Sequence, residues 1–200
     1  MKTNSILSIG SDEKTRFHRI RLCMLLSGLS VFAQLYLFQP LLSDLCHDYA
    51  LSLVSGSLSV SASTIGMAVG LFVLAFKADA VSRGRLMGWS LIVSSLLTLL
   101  SVFAFNYPLL LLVNFLKGAV LAGVSAVALA YLTEEVDARV IGLAISLYLS
   151  GNTLGGMVGR VSGTLLAGWA GWHAAVLVIG VVSLLLGLIF VRLLPVSQNF

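Results

Sequence analysis

Six stretches of this chain, near Leu22 to Leu42, Leu51 to Phe76, Leu86 to Phe105, Leu109 to Tyr131, Val140 to Leu166 and His173 to Leu194, are apolar runs of roughly 18 residues or more, the length that crosses a bilayer as a helix. Hydrocarbon leaves every backbone N–H and C=O to be satisfied internally, so only helices and closed barrels can span it. Barrel strands alternate apolar and polar residues over segments of roughly ten, and these runs do not alternate. Composition agrees: 58% of residues are hydrophobic and 10% charged, against roughly 45–50% and about 25% for soluble domains. A water-soluble globule is excluded, and 200 residues at about 20 per span leave no room for a sizeable soluble domain. The expected fold is an all-α membrane protein: a polar tail at 1–21, a six-span domain at 22–194, and a short segment at 195–200. The first run ends in Leu41-Leu42-Ser43-Asp44 without a small-residue cleavage site, which marks it as a retained helix.

Lysine and arginine stay on the cytoplasmic side of short loops. Lys2, Lys14, Arg16, Arg19, Arg21, Lys77, Arg83, Arg85, Arg139 and Arg192 all fall at one end of the six runs. The opposite loops, Ser43 to Ala50, Asn106 to Pro108 and Ala167 to Trp172, hold no Lys or Arg, and Trp169 and Trp172 suit an interfacial belt. Both termini are therefore expected in the cytoplasm, and the basic excess of +4 serves topology rather than nucleic acid. Cys23 and Cys46 lie 23 positions apart on or just beyond the first run, roughly 35 Å along a helix, too far for a disulfide. The three histidines are scattered, and no metal site or cofactor is expected.

Ser55, Ser57, Ser59, Ser61 and Ser63 alternate as a strand would, but a lone strand in lipid leaves its backbone unpaired, so they are expected to line a polar face of the second helix. Gly151, Gly155, Gly159 and Gly163, like Gly118, Ala122, Ala126 and Ala130, recur every four residues, the spacing that lets helices approach closely. Ionisable groups inside a bilayer are costly and mark functional positions. Lys117 lies about eight residues inside the fourth run with Asn114 on the same face, so both are cavity candidates, together with Gln34, Tyr36, Gln39, Tyr148 and Asn152. Arg160 reads as an anchor that snorkels to the outer interface. None of the eight carboxylates falls inside a span, so a coupled proton would need Lys117 or a group from elsewhere. No nucleophile and base pair or carboxylate dyad points to an enzyme.

The stretch Ala75-Phe76-Lys77-Ala78-Asp79-Ala80-Val81-Ser82-Arg83-Gly84 resembles the loop after the second span of major facilitator superfamily transporters, usually G-x-x-x-D-R-x-G-R-K; Asp79 and Arg83 match, and Arg85 supplies part of the missing charge. Asn114 stands where that family often has arginine in R-x-x-x-G, and Gly118 matches the glycine. With Tyr36 to Leu42, Ala122 to Glu135, Gly151 to Arg160 and Arg192 to Phe200, the chain from about Arg19 onward resembles the amino-terminal half of that family, in its YnfM-type, drug-antiporter-like inner-membrane branch. The resemblance implies six helices as a 3+3 repeat, half of a fold that works by alternating access. It implies a cytoplasmic gate of Asp79, Arg83 and Arg85 with Glu134 or Glu135 as partner of Arg83. It implies a bacterial inner membrane as location and a small organic solute as substrate, moved with protons. The chain stops where the central loop of that family begins, so a truncated or split product is expected, needing a second six-helix half or a homodimer partner. The alternative is a non-transporting scaffold or accessory subunit, or an inactive fragment, in which Asn114 and Lys117 face other helices.

Overall fold

A computed structural model describes residues 11–76 and 82–195, with side chains from Thr15 onward. The order is α1 (Ser11–Tyr36), α2 (Leu42–Asp48), α3 (Leu53–Ala75), α4 (Arg83–Leu100), α5 (Tyr107–Ser125), α6 (Ala128–Glu135) and α7 (Ile141–Leu193). Four segments among the described residues are long and apolar enough to cross a membrane: α3, α4 with its 3-10 extension to Phe103, α5 continued by α6, and α7. α7 breaks at Gly171, whose φ of 81° and ψ of 164° suit glycine alone. Its 53 residues are therefore two antiparallel crossings, arms 141–170 and 172–193. α1 is not among the four, because Arg19, Arg21 and Gln34 dilute its apolar stretch, yet its 26 residues reach roughly 39 Å.

Several boundaries differ from the sequence reading: α1 already begins at Ser11, within the stretch read as a polar tail, and α4 begins at Arg83 rather than Leu86. α1 stops at Tyr36 rather than Leu42, since Pro40 has no N–H to donate and turns Gln39 away from helical geometry; the chain then bends into the short α2. The fourth crossing is interrupted at Ala126–Val127, where Val127 donates to the Val124 carbonyl at 3.3 Å, three residues back. The fifth crossing runs four residues past Leu166, up to the Gly171 break.

Two parallel helix pairs carry the packing. A Cβ placed on Gly159 would lie 2.5 Å from the Ala33 carbonyl oxygen, and on Gly151 and Gly155 it would come closer still to those of Leu25 and Leu29. Gly163 meets Leu37 and Pro40. A step of four on α7 matches a step of four on α1, so the helices run side by side in the same direction with their backbones in contact. α3 and α5 form the second pair: Gly66 and Gly70 rest on the backbone of Phe115 and Ala119, and Gly118 on that of Ser63. This corrects the reading of the five serines. Successive residues of a helix turn by about 100°, so alternate residues cannot share a face. Ser59 and Ser63 are buried on the side of Gly66 and Gly70 in the seam, with Gly56 packed against Cys46 of α2, whereas Ser61 is exposed on the other side. The second arm of α7 lies antiparallel against α4, with Gly180 against Leu99, Gly187 against Leu91 and Val191 against Gly88.

The end away from the start of α1 and the finish of α7 is closed by an aromatic cap. The Tyr49 hydroxyl donates to the Ala104 carbonyl at 2.6 Å, and its ring lies 5.7 Å from that of Tyr107 and 6.2 Å from that of Trp172. Trp172 is 2% exposed and donates its indole N–H to Asp48 Oδ2 at 2.6 Å. It belongs to the cap rather than to an interfacial belt; Trp169, 89% exposed, is the belt-type residue.

The indole hydrogen bond, with a smaller share from His47, holds the Asp48 carboxyl below its ordinary 3.8. A carboxylate whose pKa falls on folding adds stability above its unfolded value and loses it as pH drops through the folded one. The thermal midpoint is therefore expected to fall on acidification below about pH 4, and to fall less steeply in Trp172→Phe. Parallel pH curves for the two proteins would remove the pair from the acid response.

Candidate functional site

The cavity residues expected from sequence separate into a closed and an open group. Gln34, on α1, is 0% exposed; it accepts a hydrogen bond from Thr98 Oγ1 at 2.9 Å and donates to Ser30 and, at 3.5 Å, to Ser95. This ties α1 to α4. Asn114 and Lys117, on α5, are also 0% exposed. The Lys117 ammonium donates to Asn114 Oδ1 at 2.8 Å and sits 4.5 Å from the centre of the Phe38 ring; Asn114 Nδ2 is buried and, among the described residues, has no hydrogen-bond partner. Tyr148 is 3% exposed, between Ser125 and Asn152. Gln34, Asn114, Lys117 and Tyr148, all cavity candidates from sequence, thus face neighbouring helices in this conformation.

The open group is Tyr36, Gln39 and Asn152, all half-buried, joined by Arg160. Sequence reading treated Arg160 as an anchor, but its guanidinium turns to α1. Nε donates to Gln39 Oε1 at 2.7 Å, Nη1 reaches the Gly156 carbonyl at 3.5 Å, and the carbon Cζ stands 4.1 Å over the Tyr36 ring. Gly156 makes this possible, because a Cβ there would meet the Tyr36 ring at 3.1 Å. A signal was present in the sequence: Asn152, Gly156 and Arg160 lie at steps of four on one face, with a missing side chain in the middle.

At the end where α1 begins and α7 ends, Arg83 Nη2 pairs with Glu134 Oε1 at 2.9 Å, whereas Glu135, its side chain fully enclosed, pairs with Arg16 of α1. Of the two partners considered for Arg83, the structure pairs Glu134. Sequence reading missed the Arg16–Glu135 pair because 119 positions separate the two. Arg85 is exposed, and Asp79 lies outside the described residues. Charge reversal at Arg83 is expected to impair function and to be partly restored by Glu134→Arg in the same molecule; Glu135→Arg should give no rescue, since it breaks the pair with Arg16. Equal rescue by both would contradict this pairing.

Parallel glycine-seamed helix pairs, a polar cluster inside the bundle and ion pairs at one end define a polytopic helical membrane protein. The sequence profile described as Major Facilitator Superfamily matches residues 24–199. The chain is 35% identical to the inner membrane transport protein YnfM of Escherichia coli (strain K12) over 92% of its own length and 44% of YnfM. It is 35% identical to the uncharacterized MFS-type transporter YybF of Bacillus subtilis (strain 168) over 92% of its length and 46% of that protein. The crystal structure of a bacterial homologue of the human lysosomal transporter Spinster, inward-facing and unoccupied, superposes with a TM-score of 0.84 over 96% of this chain and 45% of that one, at 19% identity. The chain belongs to the Major Facilitator Superfamily, a family of transporters and not of enzymes, and it spans a little under half the length of these relatives.

Proposed function

We propose that this chain supplies one half of a proton-linked secondary transporter for a small organic solute, working by alternating access in a bacterial inner membrane with both described ends at the cytoplasmic side. A second six-helix half or a second copy of the chain completes the cavity, as related halves do in this fold. Family membership over residues 24–199, on a chain covering less than half of its relatives, is the observation that carries the reading. Among the described residues the carboxylates of the fourth crossing, Glu134 and Glu135, lie at its end and are held in ion pairs, and Lys117, in the interior of that crossing, is the candidate to take up and release the coupling proton.

The test is flux in vesicles holding the chain with a second half, read as collapse of a preset pH gradient when solute is added. Solute-dependent collapse, with a pH profile altered in Lys117→Gln, is the expected result. An unaltered profile removes Lys117 from coupling. A well-folded assembly without flux favours the second reading, an accessory subunit, for which the enclosure of Asn114 and Lys117 against neighbouring helices speaks.

A further inference from the structure

Lys117 and Arg160 are the two cations within the spans between residues 107 and 193 that stand away from the helix ends, and among the described residues neither has a carboxylate partner. They differ in access. Lys117 is enclosed behind Phe38, whereas Arg160 is exposed on the surface of the six-helix unit, about 11 residues or roughly 16 Å before the break at Gly171. A guanidinium at that depth facing lipid is costly, so this face belongs to a polar space rather than to hydrocarbon.

The local geometry presents the guanidinium rather than neutralising it. Of its five N–H groups, one is taken by Gln39 and one, at 3.5 Å, by the Gly156 carbonyl. The remaining N–H groups, one on Nη1 and both on Nη2, form the fork that matches the two oxygens of a carboxylate. Tyr36 holds one face of the guanidinium plane at 4.1 Å, and Gly156 leaves room for that ring. Phe32 lies beside Tyr36 with ring centres 5.9 Å apart, adding an apolar wall. The arrangement offers a charged fork next to aromatic surface, with both partners of the guanidinium electrically neutral.

We infer that Arg160, oriented by Gln39 and Tyr36, is the anion-binding subsite of this unit and that its ligand is a small organic carboxylate with an apolar body. The inference rests on the transport reading for its biological role, but binding can be measured without flux. The purified chain in lipid nanodiscs is titrated with sodium benzoate, sodium butyrate, their amides benzamide and butyramide, and sodium phosphate, and the thermal midpoint is followed. Saturable stabilisation by a carboxylate and not by its amide is expected. Arg160→Gln should raise the apparent Kd roughly 10- to 100-fold, as loss of a charge-assisted double hydrogen bond does. Arg160→Lys should retain part of the binding, since it keeps the charge and loses the fork. Gln39→Glu is the variant that spares the fold: it keeps the contact to Nε while supplying an internal carboxylate, and should abolish binding.

Equal effects of acid and amide, stabilisation by none of the probes, or undiminished benzoate binding in Arg160→Gln would overturn the inference. Stabilisation by phosphate alone would replace the organic carboxylate with an inorganic anion. Carboxylate binding without flux in the completed assembly would reject the transport reading and leave the subsite standing. Flux of neutral solutes without carboxylate binding would do the reverse.

Discussion

Gly155→Val is expected to separate α1 from the first arm of α7 and to lower stability at the upper end of the roughly 1–3 kcal/mol that overpacking costs. A side chain at 155 would collide with the Leu29 carbonyl, which is backbone and cannot rotate aside as a flexible side chain does. In lipid the hydrophobic effect adds nothing to helix association, which depends on close van der Waals contact and interhelical hydrogen bonds. A seam pushed apart by one isopropyl group loses its contacts along several turns. Gly142→Ala is the control: nothing lies within 4 Å of a Cβ at that position, and replacing a helical glycine there should be neutral or stabilising by up to about 1 kcal/mol. Thermal midpoints in one detergent decide the matter. Similar midpoints for the two variants would show that the seam is loose enough to yield, as a surface on which the helices slide would be.

The double variant Asn114→Leu/Lys117→Met is expected to raise stability, by about 1–4 kcal/mol on the scale seen when buried charged groups give way to well-packed apolar ones, while abolishing solute-coupled proton movement. Lys117 is fully enclosed, and its contacts are one amide oxygen at 2.8 Å and one ring face at 4.5 Å; among the described residues Asn114 Nδ2 has no partner. Such a pair is expensive for a packed helix bundle to hold. Lys117→Met alone should gain less, because it leaves both ends of the Asn114 amide unsatisfied. A lower midpoint in the double variant would mean that the pair stabilises the fold, and would favour the accessory-subunit reading over the transporter.

The Lys117 prediction also shows where sequence reading stopped. That Lys117 and Asn114 share a helix face follows from their spacing of three. Whether the face meets a cavity or another helix depends on Phe38, which arrives from the turn beyond α1, 79 positions away. Arg160 is the reverse case. Its position near the outer end of a span suggested an anchor, whereas the ring of Tyr36 and the amide of Gln39 hold it against α1. The glycine seams were legible as small residues at steps of four, but the pairing of Gly155 with Leu29 and of Gly66 with Phe115 was not. Any two helices bearing such stripes could have packed together.

The chain's apolar runs, their lengths and the one-sided placement of Lys and Arg determined by themselves that this is a helical membrane protein, because a bilayer accepts so few backbone solutions. The resemblance to its family rested instead on motif residues, Asp79 and Arg83 and the stretch Gly151 to Arg160 among them. Which helix neighbours which, that Glu134 pairs with Arg83 while Glu135 pairs with Arg16, and that Arg160 stands open while Lys117 is enclosed were decided by tertiary packing. Those facts depend on contacts between residues tens to more than a hundred positions apart, and periodicity along one helix holds no information about the partner across the seam.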